Sequence, residues 1–231
     1  MFGPADNRIT PEDRAQVYDL LGFNRHGGAR FVPASLDLAA VMAVERLAEL
    51  HARAREEYQR RHGRVGLRGL TEYRVGVELT CDRSNLGLTG VKRGSPNHAG
   101  REVDRSRTIV GTIHTHPWDV GQSIGDVRNL IRSNDVLGGV VTHTGRICLM
   151  IKHPDEPDRD RSPFAAEVAL QAASLSEAPA IFRSIGWLGA VSASFDLPIR
   201  ATRDPYIWAV CSRVGLLSYA GDVEGPTLQR D

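Results

Sequence analysis

The stretch GTIHTHPWDVGQSIGDV, residues 111–127, reads as a strand that turns into a helix. Its upstream half belongs to the β-branched, apolar run TIVGTIHTH, which has the character of a core strand. Ser123 then suits the N-cap of a helix running to about Ser133, after Pro117 has turned the chain. Along a strand, His114 and His116 are two apart and leave the same face, so their imidazoles can converge on one ion. Asp126 stands ten residues beyond His116, in the first helical turn, where its carboxylate can return as a third ligand. Two imidazoles and a carboxylate leave a fourth tetrahedral position for water. A bare H-x-H pair is more often two ordinary histidines, and the proline, the Ser/Asp helix start and the apolar strand are what favour a metal here. Ser123 and Asp126 also make a capping pair, with the acid near the positive end of the helix dipole, and both readings can hold at once.

Working outward, Tyr73, Val75, Val77 and Leu79 in TEYRVGVELT alternate as a half-buried strand does. Asp82 to Asn85 supply a turn, a second strand follows near Leu86 to Lys92, and a polar loop runs from Gly94 to Arg107. Beyond the quoted stretch, LGGVVTH and RICLMIK form a hairpin joined by Thr144 and Gly145. Charged, Pro-punctuated HPDEPDRDRSP leads to helices over Pro163–Ala178 and Asp204–Val214. Upstream, Ser35 is a plausible N-cap for one long helix to about Arg61, whose stripe is Leu38, Val41, Val44, Leu47, Leu50, Ala54 and Tyr58 and which Gly63, Gly66 and Gly69 terminate. Alternating sheet and helix give an α/β class in three parts: an irregular lead-in over 1–34 with one short helix, a core with its preceding long helix over 35–160, and a helical and strand extension over 161–231 packing on that core.

Hydrophobic residues at 41% and charged residues at 25% sit near globular averages. With 29 basic and 28 acidic residues spread along the chain, there is no electrostatic footprint for nucleic acid. Lysine occurs only at 92 and 152, a bias that suits a GC-rich bacterial genome. No stretch approaches the roughly 18 apolar residues of a membrane span, and the polar N-terminus lacks the apolar core of a signal peptide. Cys81, Cys148 and Cys211 are widely spaced without a CxxC pair, so reduced thiols in the cytoplasm are expected.

HTHP followed by SIGD resembles the H-x-H-P…S-x-x-D signature of the JAB/MPN (JAMM) metalloproteases, over roughly Thr71 to Lys152. The resemblance implies a cytidine-deaminase-like fold, a curved and mostly antiparallel sheet flanked by helices, here with N- and C-terminal extensions. It implies zinc on His114, His116 and Asp126, with Ser123 helping to hold the tetrahedral intermediate and an upstream glutamate as general base. Glu72 is the expected base, because TEYRVG resembles the family's E-x-x-G strand start, although Gly76 comes one residue late; Glu78 is the backup. Alternation cannot choose between them, since both fall on one face of the strand. The segment from Pro117 to Gln122 is six residues where the family usually has seven, which bears on where the Ser123 hydroxyl lies. The implied activity is hydrolysis of an amide or isopeptide bond after the tail of a ubiquitin-like protein or its conjugate. Alternatives are a peptidase with a toxin-associated, phage-tail or sulfur-carrier substrate, and a catalytically silent scaffold.

Overall fold

The computed structural model describes residues 9–23, 25–26, 29–61, 71–96, 106–116, 119, 121–155, 165–174, 176–177, 200–225 and 227–230. Its centre is the pair β7 (Thr108–His116) and β8 (Leu137–Thr142), with α4 (Ile124–Ile131) crossing between them. Parallel strands cannot be joined by a tight turn, and this pair is parallel, in register from Gly111 opposite Leu137 to His116 opposite Thr142. The crossover puts the N-terminus of α4 just past the C-terminal end of β7, the end at which open α/β sheets bind ligands.

Among the described residues, every other pairing between strands of the sheet is antiparallel. β4 (Thr71–Leu79) flanks β7, and β5 (Leu86–Leu88) and β6 (Lys92–Pro96) both pair with β4. On the other side β8 is followed by β9 (Arg146–Lys152), β10 (Leu216–Asp222), β11 (Thr227–Arg230) and β3 (Ser35–Asp37). The result is a mixed α/β architecture, one nine-stranded, strongly curled and mostly antiparallel sheet flanked by helices. A separate ribbon pairs β1 (Arg25–His26) with β2 (Ala29–Arg30).

Strand β9 is buried on both faces, and its alternation separates two cores. Ile147, Leu149 and Ile151 join Leu47 and Leu50 of α3 (Glu45–Arg61) and Val17 and Tyr18 of α1 (Pro11–Leu20). Met150 points the other way, into a cluster with Val127 and Leu130 of α4, Leu170 of α5 (165–174), and Ile207, Val210 and Cys211 of α6 (Arg200–Arg213). Among the described residues no helix is long and apolar enough to cross a membrane, and the three cysteines are free thiols.

The strand over 71–79, the turn at 82–85, the strand over 108–116, the helix from Ser123 and the hairpin around Gly145, which adopts φ 93°, all form where the sequence predicts them. The expected second strand is two, β5 and β6, interrupted at Thr89 to Val91. The single long helix from Ser35 is corrected. Ser35 lies in β3, which pairs with β11, Asp37 caps the four-residue α2 (Leu38–Val41), and the main helix starts only at Glu45. The apolar stripe misled because Leu36 and Leu38 face the core from a strand and a single turn rather than from one continuous helix. The lead-in also holds more structure than its composition suggests: Thr10 and Asp13 form a reciprocal capping box for α1, and Val17, Tyr18, Leu21 and Phe23 enter the main core. Strands β10 and β11 extend the central sheet itself. Gly63, Gly66, Gly69, Pro117, Pro163, Ala178 and most of the 94–107 loop lie outside the described residues.

Gly111 allows β7 and β8 to approach closely, since a Cβ there would stand 2.4 Å from the Leu137 backbone oxygen. A backbone obstacle cannot swing aside, so Gly111→Ala should destabilise the fold by roughly 1–3 kcal/mol. The denaturation midpoint reads this, and an unchanged midpoint would show that the strands can separate without cost.

Candidate metal centre

His114 and His116 leave the same face of β7, as their spacing requires, and the start of α4 brings Asp126 against both. His114 Nε2 stands 3.2 Å from Asp126 Oδ1 and His116 Nε2 stands 3.5 Å from Asp126 Oδ2. The two imidazole nitrogens are themselves 3.2 Å apart, with ring centroids at 4.9 Å and an interplanar angle of 72°. Ligands about 2.0–2.1 Å from a tetrahedral ion are separated by roughly 3.3–3.4 Å along each edge. The two histidine nitrogens lie near that spacing, and with one oxygen taken from Asp126 the three donor atoms all lie within 4.8 Å of one another, a cluster that could hold a metal ion.

The surroundings prepare these donors. His116 Nδ1 lies 2.8 Å from the Gly121 carbonyl oxygen, which can only accept, so the ring proton belongs on Nδ1 and the Nε2 lone pair faces the cluster. The His114 ring is held by the backbone of Gly139 on β8. The Asp126 carboxylate is oriented by Ser123, whose amide and hydroxyl each donate to Oδ2 at 2.7 Å. Ser123 Oγ in turn accepts from the Asp126 amide at 3.2 Å, which completes a reciprocal capping box. Burial alone would lower the His114 pKa, but the charge and hydrogen bond of Asp126, then the charge of Glu72, outweigh it and raise it. Burial would raise the Asp126 pKa, yet His114 and His116 hold it well below the usual carboxylate range. The side chains are 11–14% exposed, a cluster recessed but reachable.

No family model, curated protein or solved structure matches this chain.

Glu72 and Glu78 have different surroundings. Glu72 is 9% exposed and close enough for its charge to act on His114. It lies within a register shift of the β4–β6 ladder, between Thr71 and Tyr73, and such irregularities re-aim side chains. Beside it the Tyr73 amide donates to Thr115 Oγ at 2.9 Å, and the Thr71 amide donates to the buried Glu57 at 3.0 Å. Glu78 instead faces Arg107, whose Nη1 lies 2.9 Å from both carboxylate oxygens. The supports Glu57, Thr115, Gly121 and Gly139 carry no sequence signal of their own, because each acts through a backbone group or from a distant element.

Ser123→Ala removes the α4 cap and one of the two donors on Asp126 Oδ2. The metal-free protein should lose about 1 kcal/mol, read as a lower thermal midpoint; a midpoint equal to that of the parent would mean that water replaces the hydroxyl without loss.

Proposed function

We propose that this protein is a zinc-dependent peptidase or isopeptidase of the JAB/MPN metalloprotease type. The observation that carries the reading is the convergence of His114, His116 and Asp126, whose donor atoms all lie within 4.8 Å of one another. Two imidazoles and a carboxylate are a donor set that suits zinc and leaves one position open. When bound, zinc would polarise the scissile carbonyl and lower the pKa of a water to about 7.

The chain's own residues supply the rest. Glu72, buried beside the cluster, takes the proton of the attacking water and passes it to the leaving amine. The Gly121 carbonyl and the Ser123 amide hold His116 and Asp126 in their ligating orientations. Ser123 Oγ, at the mouth of α4, turns from Asp126 to donate to the developing oxyanion. The substrate is the extended tail of a ubiquitin-like protein or its conjugate, laid against a sheet edge through main-chain hydrogen bonds. The fold under this reading is cytidine-deaminase-like. The setting is the cytoplasm, as the free thiols of Cys81, Cys148 and Cys211 suit.

Metal analysis of the purified protein, followed by incubation with ubiquitin-like fusions, tests the proposal. One equivalent of zinc and cleavage after the terminal glycine, lost with chelator and restored by zinc, is the expected result. Zinc without cleavage of any such fusion would move the substrate to another class of peptide. Protein that takes up no metal would overturn the reading.

A further inference from the structure

Between β7 and α4, Asp119 and Gly121 are each held by side chains from further along the chain. Gly121, whose carbonyl accepts from His116, is wedged between β9 and α6: a Cβ on it would meet Cys148 Sγ at 3.0 Å and Asp204 Oδ1 at 3.2 Å. Asp204 is 2% exposed, and its Oδ2 accepts a hydrogen bond from Arg146 Nη1 across a sequence separation of 58. The Arg146 guanidinium lies 5.8 Å from the centre of the Trp208 ring, and the charge of Asp119, earlier in the same loop, also acts on it. Asp119 is anchored separately, its Oδ1 accepting from Thr144 at 2.6 Å and from Thr142 at 3.5 Å. The loop thus meets the β8–β9 hairpin at Asp119 and the buried ion pair at Gly121.

A buried ion pair is a poor device for stability alone, because apolar residues of similar volume often do as well. What this one does distinctively is fix a wall against the single residue whose carbonyl orients His116. We propose that Asp204 and Arg146 are positioning residues of the metal centre: together they hold Gly121 where its carbonyl keeps the His116 proton on Nδ1 and aims Nε2 at the bound ion. This rests on the metal reading above and deepens it. Groups that orient a ligating imidazole are worth about 10–100-fold in metal affinity. The C-terminal segment contributes to the site by this route without touching the metal.

The test measures zinc affinity of the full chain by competition with a chromophoric chelator, and the His116 tautomer of the metal-free protein by nitrogen NMR. Asp204→Asn keeps the shape of the side chain and removes its charge; Arg146→Lys keeps the charge and removes the planar fork. Leu36→Ala is the comparison, a core truncation in β3 at the far edge of the sheet. Both ion-pair variants should bind zinc at least about 10-fold more weakly and lose the pure Nδ1–H signature. Leu36→Ala should lower the denaturation midpoint and leave both readouts as in the parent. Unchanged affinity and tautomer in the two ion-pair variants would overturn the proposal, and so would an equal loss in Leu36→Ala, which marks general loosening. If Asp204→Asn does not fold, Arg146→Lys decides by the same readouts. A parent protein that binds no zinc fails earlier, and takes the metal reading down with it.

Discussion

Glu72→Gln should keep zinc at full occupancy and lower turnover by roughly 100-fold or more. The exchange preserves volume and one acceptor oxygen, and removes the negative charge together with the ability to accept a proton. Glu72 is not among the three ligands, yet its charge raises the His114 pKa, so it stands beside the centre without holding it. Glu78→Gln is the built-in comparison. That side chain lies further along β4 by about 20 Å of strand rise, and pairs with Arg107, a half-exposed residue, at 2.9 Å. Partly exposed pairs of this kind are worth about 0–1 kcal/mol, and turnover should hardly change. Hydrolysis by the two variants at equal zinc content decides between them; an active Glu72→Gln beside an inactive Glu78→Gln would transfer the base to Glu78.

Alanine at His114, His116 or Asp126 should abolish stoichiometric zinc and all activity that depends on it, since a three-ligand site cannot lose one donor and stay tight. The fold should survive. Both sides of β7 are laddered, to β4 and to β8, and the two cores do not include these side chains. Asp126→Ala carries an added cost, because its carboxylate also accepts the Ser123 amide in the α4 cap at 2.7 Å, and that variant should have the lowest thermal midpoint of the three. The check is metal content after dialysis against a chelator, with circular dichroism to verify folding. Full occupancy in any one variant would remove that residue from the ligand set.

The cluster of His114, His116 and Asp126 was legible in the sequence because its logic is local. Two histidines at strand spacing, and a Ser and Asp that together cap the next helix, lie only a few residues apart in the chain, so strand and helix periodicity nearly define their geometry. Gly145 and the β8–β9 hairpin were legible for the same reason. The candidate base was named as Glu72 only through the family resemblance, since alternation treats 72 and 78 alike; in the structure Glu72 is buried with its charge acting on His114, while Glu78 pairs with Arg107, contacts that depend on distant strands being in place. Likewise the periodicity of 35–61 could not reveal that Ser35–Asp37 would be drawn into the sheet by β11, nearly two hundred residues later. Asp204 read as one more residue in a helix, and only the packing of α6 against β9 and β10 brings it to Arg146 and the loop behind His116. By itself, then, the sequence determined which residues could ligate and which local elements would carry them. The tertiary structure decided which carboxylate stands beside the cluster and what holds its loop, because those contacts join segments that no short-range pattern relates.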